Sequence, residues 1–175
     1  MINMAWREEP LAKSHDRAGF DCGDAPLNDF LKRYARQSDE QGSSRTFVAV
    51  EADNATRILG YYSLAPAMIA HDRVPETIRR GLARHEVPGF RLARLAVSVE
   101  HQGRGLGGQL FGAAARRCIR AAADVGGLIM IIDAKTEKVA AWYATLGSQP
   151  CLDSPLTLIF PLARAAAHLR ESGQL

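Results

Sequence analysis

Several things that organise small proteins are scarce in this sequence. There are only three cysteines, Cys22, Cys118 and Cys151, an odd number with no CxxC pair. That argues against a disulfide framework and suits a reducing compartment. The histidines (His15, His71, His85, His101, His168) have no metal-ligand spacing, so no metal centre is expected. No apolar run reaches the ~18 residues of a membrane span. The opening MINMAWREEP puts acids and a proline where a secretory signal needs an apolar stretch. These absences point to a cytoplasmic protein without a membrane role. Repeats, low-complexity tracts and linkers are missing too. A net charge of +3 is too small to impose a polyanionic partner, so local clusters must carry any such argument.

What is present fits one soluble domain over residues 1–175: 47% hydrophobic and 23% charged residues, enough for one core. Trp6–Glu8 starts a short strand. DAPLNDFLKRYARQ is helical, with Asp24 as cap, Pro26 in the first turn, and Leu27, Phe30, Leu31 and Tyr34 as its apolar stripe. Thr46–Glu51 and Arg57–Ile69 form a hairpin. A short helix starts at Pro75. Phe90–Val99 is a buried strand, and Gly105 to about Asp124 a long helix. GLIMIID is a central strand covered on both faces. Thr136 caps a helix running to Leu146. PLTLIFPL is a last strand, followed by a terminal helix. The order predicts an α+β fold, with helices on the faces of a mixed sheet.

The stretch HQGRGLGGQL permits two readings. Gly103, Gly105 and Gly108 fit G-x-G-x-x-G, the dinucleotide fingerprint, and Asp133 could imitate its ribose-binding acid. That fingerprint should follow its strand at once and open a domain of several βαβ units. Here EHQ intervenes, and only about 40 residues follow Asp133. The other reading is Q-x-x-G-x-G, with Gln102, Gly105 and Gly107. Glycines let backbone approach a ligand closely, and the loop runs directly into a long helix. The first N–H groups of that helix lack intrahelical partners and suit a pyrophosphate. Arg104 adds a positive charge, or is an ordinary solvated arginine.

On these residues the chain resembles the GNAT N-acetyltransferase superfamily. The resemblance implies a three-layer α/β/α domain with a mostly antiparallel central sheet and acetyl-CoA as acetyl donor. It assigns Gln102, Gly103, Arg104, Gly105, Leu106, Gly107 and Gly108 to the pyrophosphate. Leu95, Ala96 and Val97, on a bulged strand, would meet the pantetheine arm. From the sequence alone those three are core strand residues. Asp133 and Thr136 complete the cofactor candidates. Thr136 stands where many relatives have asparagine. Tyr143, in WYATLG, matches the family tyrosine that assists the leaving CoA thiolate. Its other reading is a packing residue with its hydroxyl satisfied elsewhere. Ser148 replaces the usual phenylalanine after Gly147.

No general base stands out, since Glu100 and His101 suit capping or solvation. An α-amino group, near ~7.7–8, needs less deprotonation help than lysine at ~10.4. The N-terminal third resembles the GNAT toxins of toxin–antitoxin modules, through Phe20, Cys22-Gly23, Leu27, Phe30-Leu31 and Tyr34-Ala35-Arg36-Gln37. That resemblance implies acetylation of the α-amino group of aminoacyl-tRNA. It also implies a ribbon-helix-helix antitoxin, operator DNA bound only through the antitoxin complex, and a homodimer. Candidates for tRNA phosphates are Lys32, Arg33, Arg36, Arg79, Arg80, Arg91 and Arg94. Arg91 and Arg94 sit three apart on an otherwise apolar strand, on opposite faces unless a bulge intervenes. Two alternatives are a GNAT enzyme for a small amine or protein N-terminus, and a catalytically silent GNAT binding module.

Overall fold

The computed structural model describes residues 5–173. Seven strands form one sheet in the order β1-β2-β3-β4-β5-β7-β6. They are β1 (Trp6–Pro10), β2 (Arg45–Glu51), β3 (Ile58–Ile69), β4 (Val87–Val97), β5 (Ile129–Asp133), β6 (Gln149–Pro150) and β7 (Thr157–Pro161). The helices are α1 (Ala25–Asp29), α2 (Ala35–Gln41), α3 (Glu76–Arg79), α4 (Leu106–Val125), α5 (Glu137–Thr145) and α6 (Leu162–Glu171). The β4–β5 ladder is parallel, and β1–β2, β2–β3, β5–β7 and β6–β7 are antiparallel. The sheet is therefore mixed and mostly antiparallel, as expected. Contacts divide the chain into two compact units. One comprises the described residues of Met1–Ala65 with Ala93–Gly112, the other Pro66–Leu92 with those of Ala113–Leu175.

In the first unit, β2 is rich in β-branched and aromatic residues, and Thr46 to Val50 are all buried, as in a strand covered on both faces. Its core holds Phe20, Phe30, Leu31, Val48, Val50, Ile58, Tyr61 and Ala96. Phe20 meets Tyr61 edge-on at 5.6 Å, and the buried Tyr61 hydroxyl donates to the Leu27 carbonyl at 2.7 Å. Gly60 is required here. A Cβ on it would lie 2.8 Å from the Ala96 carbonyl oxygen and 2.8 Å from Leu110 Cδ1.

The first helical run starts as the sequence predicts. The Asp24 carboxylate accepts from the Leu27 N–H at 3.2 Å, and proline occupies the first turn. Its continuation differs. Phe30–Tyr34 forms a π-helical turn between α1 and α2, closed by the Ala35 N–H on the Phe30 carbonyl. The wider turn shifts the facing residues by one position. Phe30, Leu31 and Ala35 are buried, whereas Tyr34, expected in the apolar stripe, is 54% exposed.

In the second unit, Ile129 to Ile132 of β5 are buried, flanked by β4 and β7. Gly89 sits so near β5 that a Cβ would fall 2.1 Å from the Ile129 carbonyl oxygen. Val87, Ile129, Ile131 and Ile159 share a core cluster. Strand β4 starts at Val87 rather than Phe90 and ends at Val97 rather than Val99. Within it only Val87, Leu92 and Ala96 are buried, so it is half-covered rather than fully buried. It stops because Ser98 opens a 3-10 turn, Val99–His101, closed by the His101 N–H on the Ser98 carbonyl at 2.9 Å. The two-residue β6 has no signal in the sequence. Among the described residues no helix is long and apolar enough to cross a membrane.

Candidate active site

The glycine-rich loop belongs to the first unit. It leaves the 3-10 turn through buried His101, whose Nδ1 lies 2.6 Å from Ser98 Oγ. Burial lowers the His101 pKa, helped by the nearby Arg57 and Arg104 charges, so its ring stays neutral near pH 7. Gln102 Nε2 donates to the Cys22 carbonyl and to the Val97 carbonyl, both at 2.9 Å. The Gln102 amide therefore braces the loop internally. Gly103 and Gly105 have φ of +74° and +87°, a region costly for other residues. A Cβ on Gly103 or Gly108 would meet nothing within 4 Å, so space lies open beside both.

Gly105 ends the loop, since its carbonyl accepts the Gln109 N–H at 3.2 Å. The N–H groups of Leu106, Gly107 and Gly108 precede the first such bond, at the positive end of a 20-residue helix. Arg104 is exposed beside them. Open space, unpaired N–H groups and a cation fit a pyrophosphate. Leu106 is buried and anchors the helix start, while Gly107 and Gly108 are half-exposed. On β4, Ala96 is buried and Leu95 and Val97 are half-buried.

Tyr143, Asp133 and Thr136 belong to the second unit. Thr136 caps α5, its Oγ1 accepting the Val139 N–H at 3.2 Å. Tyr143 lies one helical turn past Val139 and is 7% exposed, its ring edge-on to Trp142 at 4.9 Å. Burial pushes its hydroxyl up to about 12. A phenol of that pKa stays protonated at neutral pH and acts as a donor. Asp133 ends β5, pairs with Arg91 and accepts from Thr157 Oγ1 at 3.2 Å. Arg91 and Asp133, assigned from the sequence to different ligands, thus neutralise each other.

The basic candidates fall into separate groups. In the first unit, Lys32 and Arg33 are exposed on the π-helical turn. Arg33 reaches Asp29 only at 3.7 Å, and Arg36 pairs with Glu40 at 3.1 Å. Arg94 lies 3.6 Å above the centre of the Phe30 ring, which shields one face of its guanidinium. In the second unit, Arg79 and Arg80 line a cleft of about 720 Å³ with Arg84, His71 and His85. Arg84 is not singled out from the sequence, because it falls in the stretch after the short helix that reads only as a loop, and His71 and His85 are weighed there only as metal ligands. Among the described residues no three His, Cys, Asp or Glu side chains are grouped as metal ligands.

No family model matches the chain. Over 157 residues it is 32% identical to a tRNA-acetylating toxin of Mycobacterium tuberculosis, covering 90% of this chain and 92% of the relative. The chain belongs to the tRNA-acetylating GNAT toxins. A probable toxin TacT of Sinorhizobium fredii is 28% identical over 164 residues, covering 89% of this chain and 90% of its own length. Among solved structures, a tyrosine-to-phenylalanine mutant of KacT superposes with a TM-score of 0.86 at 28% identity, covering 93% of this chain and 98% of its own. The KacTA–DNA complex gives 0.80 at 29%, covering 95% and 99%. A tyrosine-to-phenylalanine AtaT toxin, bound to the C-terminus of its antitoxin AtaR and to acetyl-CoA, gives 0.77 at 25%, covering 91% and 94%. The mixed seven-stranded sheet is the fold of these GNAT toxins, and acetyl-CoA-dependent acetyl transfer is the activity of the family.

Proposed function

We propose that this GNAT toxin moves the acetyl group of acetyl-CoA onto the α-amino group of aminoacyl-tRNA, which stops translation. The observation that carries the reading is the 32% identity to a tRNA-acetylating toxin across nine-tenths of the chain. In this reading residues 1–175 form a single catalytic domain. Gln102 to Gly108 hold the pyrophosphate, through the N–H groups of Leu106, Gly107 and Gly108 and the charge of Arg104. Leu95, Ala96 and Val97 offer backbone groups to the pantetheine arm. Thr136 and Asp133 act as supports, one capping α5 and the other holding Arg91.

In the reaction the amine lone pair forms the new N–C bond, the C–S bond breaks, and its electrons go to sulfur. The nitrogen then passes its extra proton to solvent water, since no side chain stands out as a general base. Tyr143 donates a hydrogen bond to the forming thiolate. Full proton transfer from a phenol near 12 to a thiolate whose acid is near ~8.5 is uphill by roughly 5 kcal/mol. Stabilisation by hydrogen bonding is therefore the assigned role. Lys32, Arg33, Arg36, Arg80 and Arg94 supply phosphate contacts to the tRNA, and Arg91, held by Asp133, drops from that set. Two solved relatives were studied with a tyrosine replaced by phenylalanine, which supports a special tyrosine in this family.

The partner is a cognate antitoxin of ribbon-helix-helix type, and the toxin is a cytoplasmic homodimer that meets operator DNA through that antitoxin. Complexes of AtaT with AtaR and of KacTA with DNA support the antitoxin and DNA parts. The test supplies labelled acetyl-CoA with a total charged-tRNA pool, beside uncharged tRNA and Tyr143→Phe. Label on charged tRNA alone, lost with Tyr143→Phe, supports the reading. No label on any tRNA, with acetyl-CoA still bound, overturns it and leaves a small-amine enzyme or a silent binding module.

A further inference from the structure

We propose that Tyr34 stacks on an unpaired base of the tRNA substrate. The proposal rests on the tRNA reading above and names a recognition residue within it. Its basis is the π-helical turn. In a regular helix Tyr34 would lie one turn after Phe30 and Leu31 and join the buried stripe. The extra residue in the turn carries it outward instead. The Tyr34 backbone has φ −116° and ψ −28°, away from ideal helical values, and its ring is 54% exposed. Such single π turns recur at functional sites, because they cost helix geometry to re-aim a side chain.

The surroundings of the ring identify the occupant. Lys32, Arg33 and Tyr34 are three consecutive exposed residues. Among the described residues Lys32 forms no ion pair, and Arg33 has only its long contact with Asp29. Arg17 Nη1 donates to the Lys32 carbonyl at 2.9 Å, so a further guanidinium braces this turn. Arg36 follows two positions later. An exposed aromatic ring on a turn that also exposes two cations suits the binding of single-stranded nucleic acid. The ring takes a base face and the cations take the backbone phosphates. A protein partner with an apolar anchor would instead favour a ring set among exposed apolar side chains, whereas the exposed residues beside Tyr34 in this turn, Lys32 and Arg33, are cations.

The test measures steady-state acetylation of a charged-tRNA pool by wild type, Tyr34→Ala, Tyr34→Leu and Tyr34→Trp. Thermal melting confirms that each variant is folded. The expected result is a KM for charged tRNA raised about tenfold in Tyr34→Ala and Tyr34→Leu, with the KM for acetyl-CoA unmoved. Tyr34→Trp restores the wild-type KM because any aromatic ring stacks. An unchanged KM for charged tRNA in Tyr34→Ala, with wild type labelling charged tRNA, overturns stacking and leaves the tRNA reading intact. Equal loss in all three variants overturns it in favour of a specific hydroxyl contact. Loss of antitoxin binding alone, with tRNA kinetics unmoved, overturns it in favour of a protein interface. Absence of label on any tRNA with wild type overturns both readings.

Discussion

At the residue scale, Tyr143 carries the sharpest expectation. Its hydroxyl is a fixed donor because burial holds it near 12. Removing one preorganised donor from a developing charge costs about a hundredfold in kcat. Tyr143→Phe should show that loss, read as acetyl transfer at saturating substrates, with melting temperature nearly unchanged. The same burial sets a pH signature. Wild-type kcat should not decline through phenol ionisation below pH ~11. A decline centred near pH 10 in the pH–rate profile would mean that the hydroxyl is solvated in the working enzyme. The tyrosine could be found in the sequence because it stands in a short motif with fixed spacing to a glycine. Tyr34 was harder to place. Its exposure depends on one extra residue in a turn, and the periodicity of DFLKRYARQ reads as an ordinary helix without it.

At the scale of elements, the glycines separate function from assembly. Gly105 needs a positive φ but forms the entrance to α4, whereas Gly89 and Gly60 need empty space. Gly105→Ala should destabilise by about 1–2 kcal/mol through left-handed strain, and weaken acetyl-CoA binding as measured by calorimetry. Gly89→Ala forces a methyl group against the Ile129 carbonyl. It should cost about 3 kcal/mol or prevent folding, seen in urea melts, because the obstructing atom is backbone and cannot rotate away. The strands and helices of the second half were legible because their apolar runs and caps are local signals. The limits of β4 were not, since a 3-10 turn held by the Ser98 carbonyl replaces its last two residues. Strand β6 is too short for any pattern, and only its pairing with β7 defines it.

At the scale of the whole molecule, charge and burial give two further expectations. Tyr143 and Cys118 are both pushed up to about 12 by burial. Their folded pKa values exceed the unfolded ones, ~10 and ~8.5. The unfolded chain therefore loses these protons first. Stability contributed by them is complete below pH ~8.5 and is lost as pH rises toward 12. Urea midpoints measured from pH 8 to 11 should fall, and Cys118→Ala should flatten the early part of that fall. The exposed cations predict that the KM for charged tRNA climbs steeply between about 50 and 200 mM salt, while the KM for acetyl-CoA moves less. A flat salt dependence would remove Lys32, Arg33 and their neighbours from the substrate contact. The overall charge, only +3, gave no hint of this, because acids elsewhere on the chain cancel the local clusters.

The double tether of Gln102 has a kinetic consequence. Its amide ties the loop to the Cys22 carbonyl on one side and the Val97 carbonyl on the other. A loop held in its working shape before the donor arrives gives up little conformational entropy on binding. Cofactor association should then follow a single rapid phase in stopped-flow, with no slow isomerisation. Gln102→Ala would release the loop and add that ordering cost to every encounter. The residue would act less as a ligand than as the pin that keeps the phosphate cradle ready.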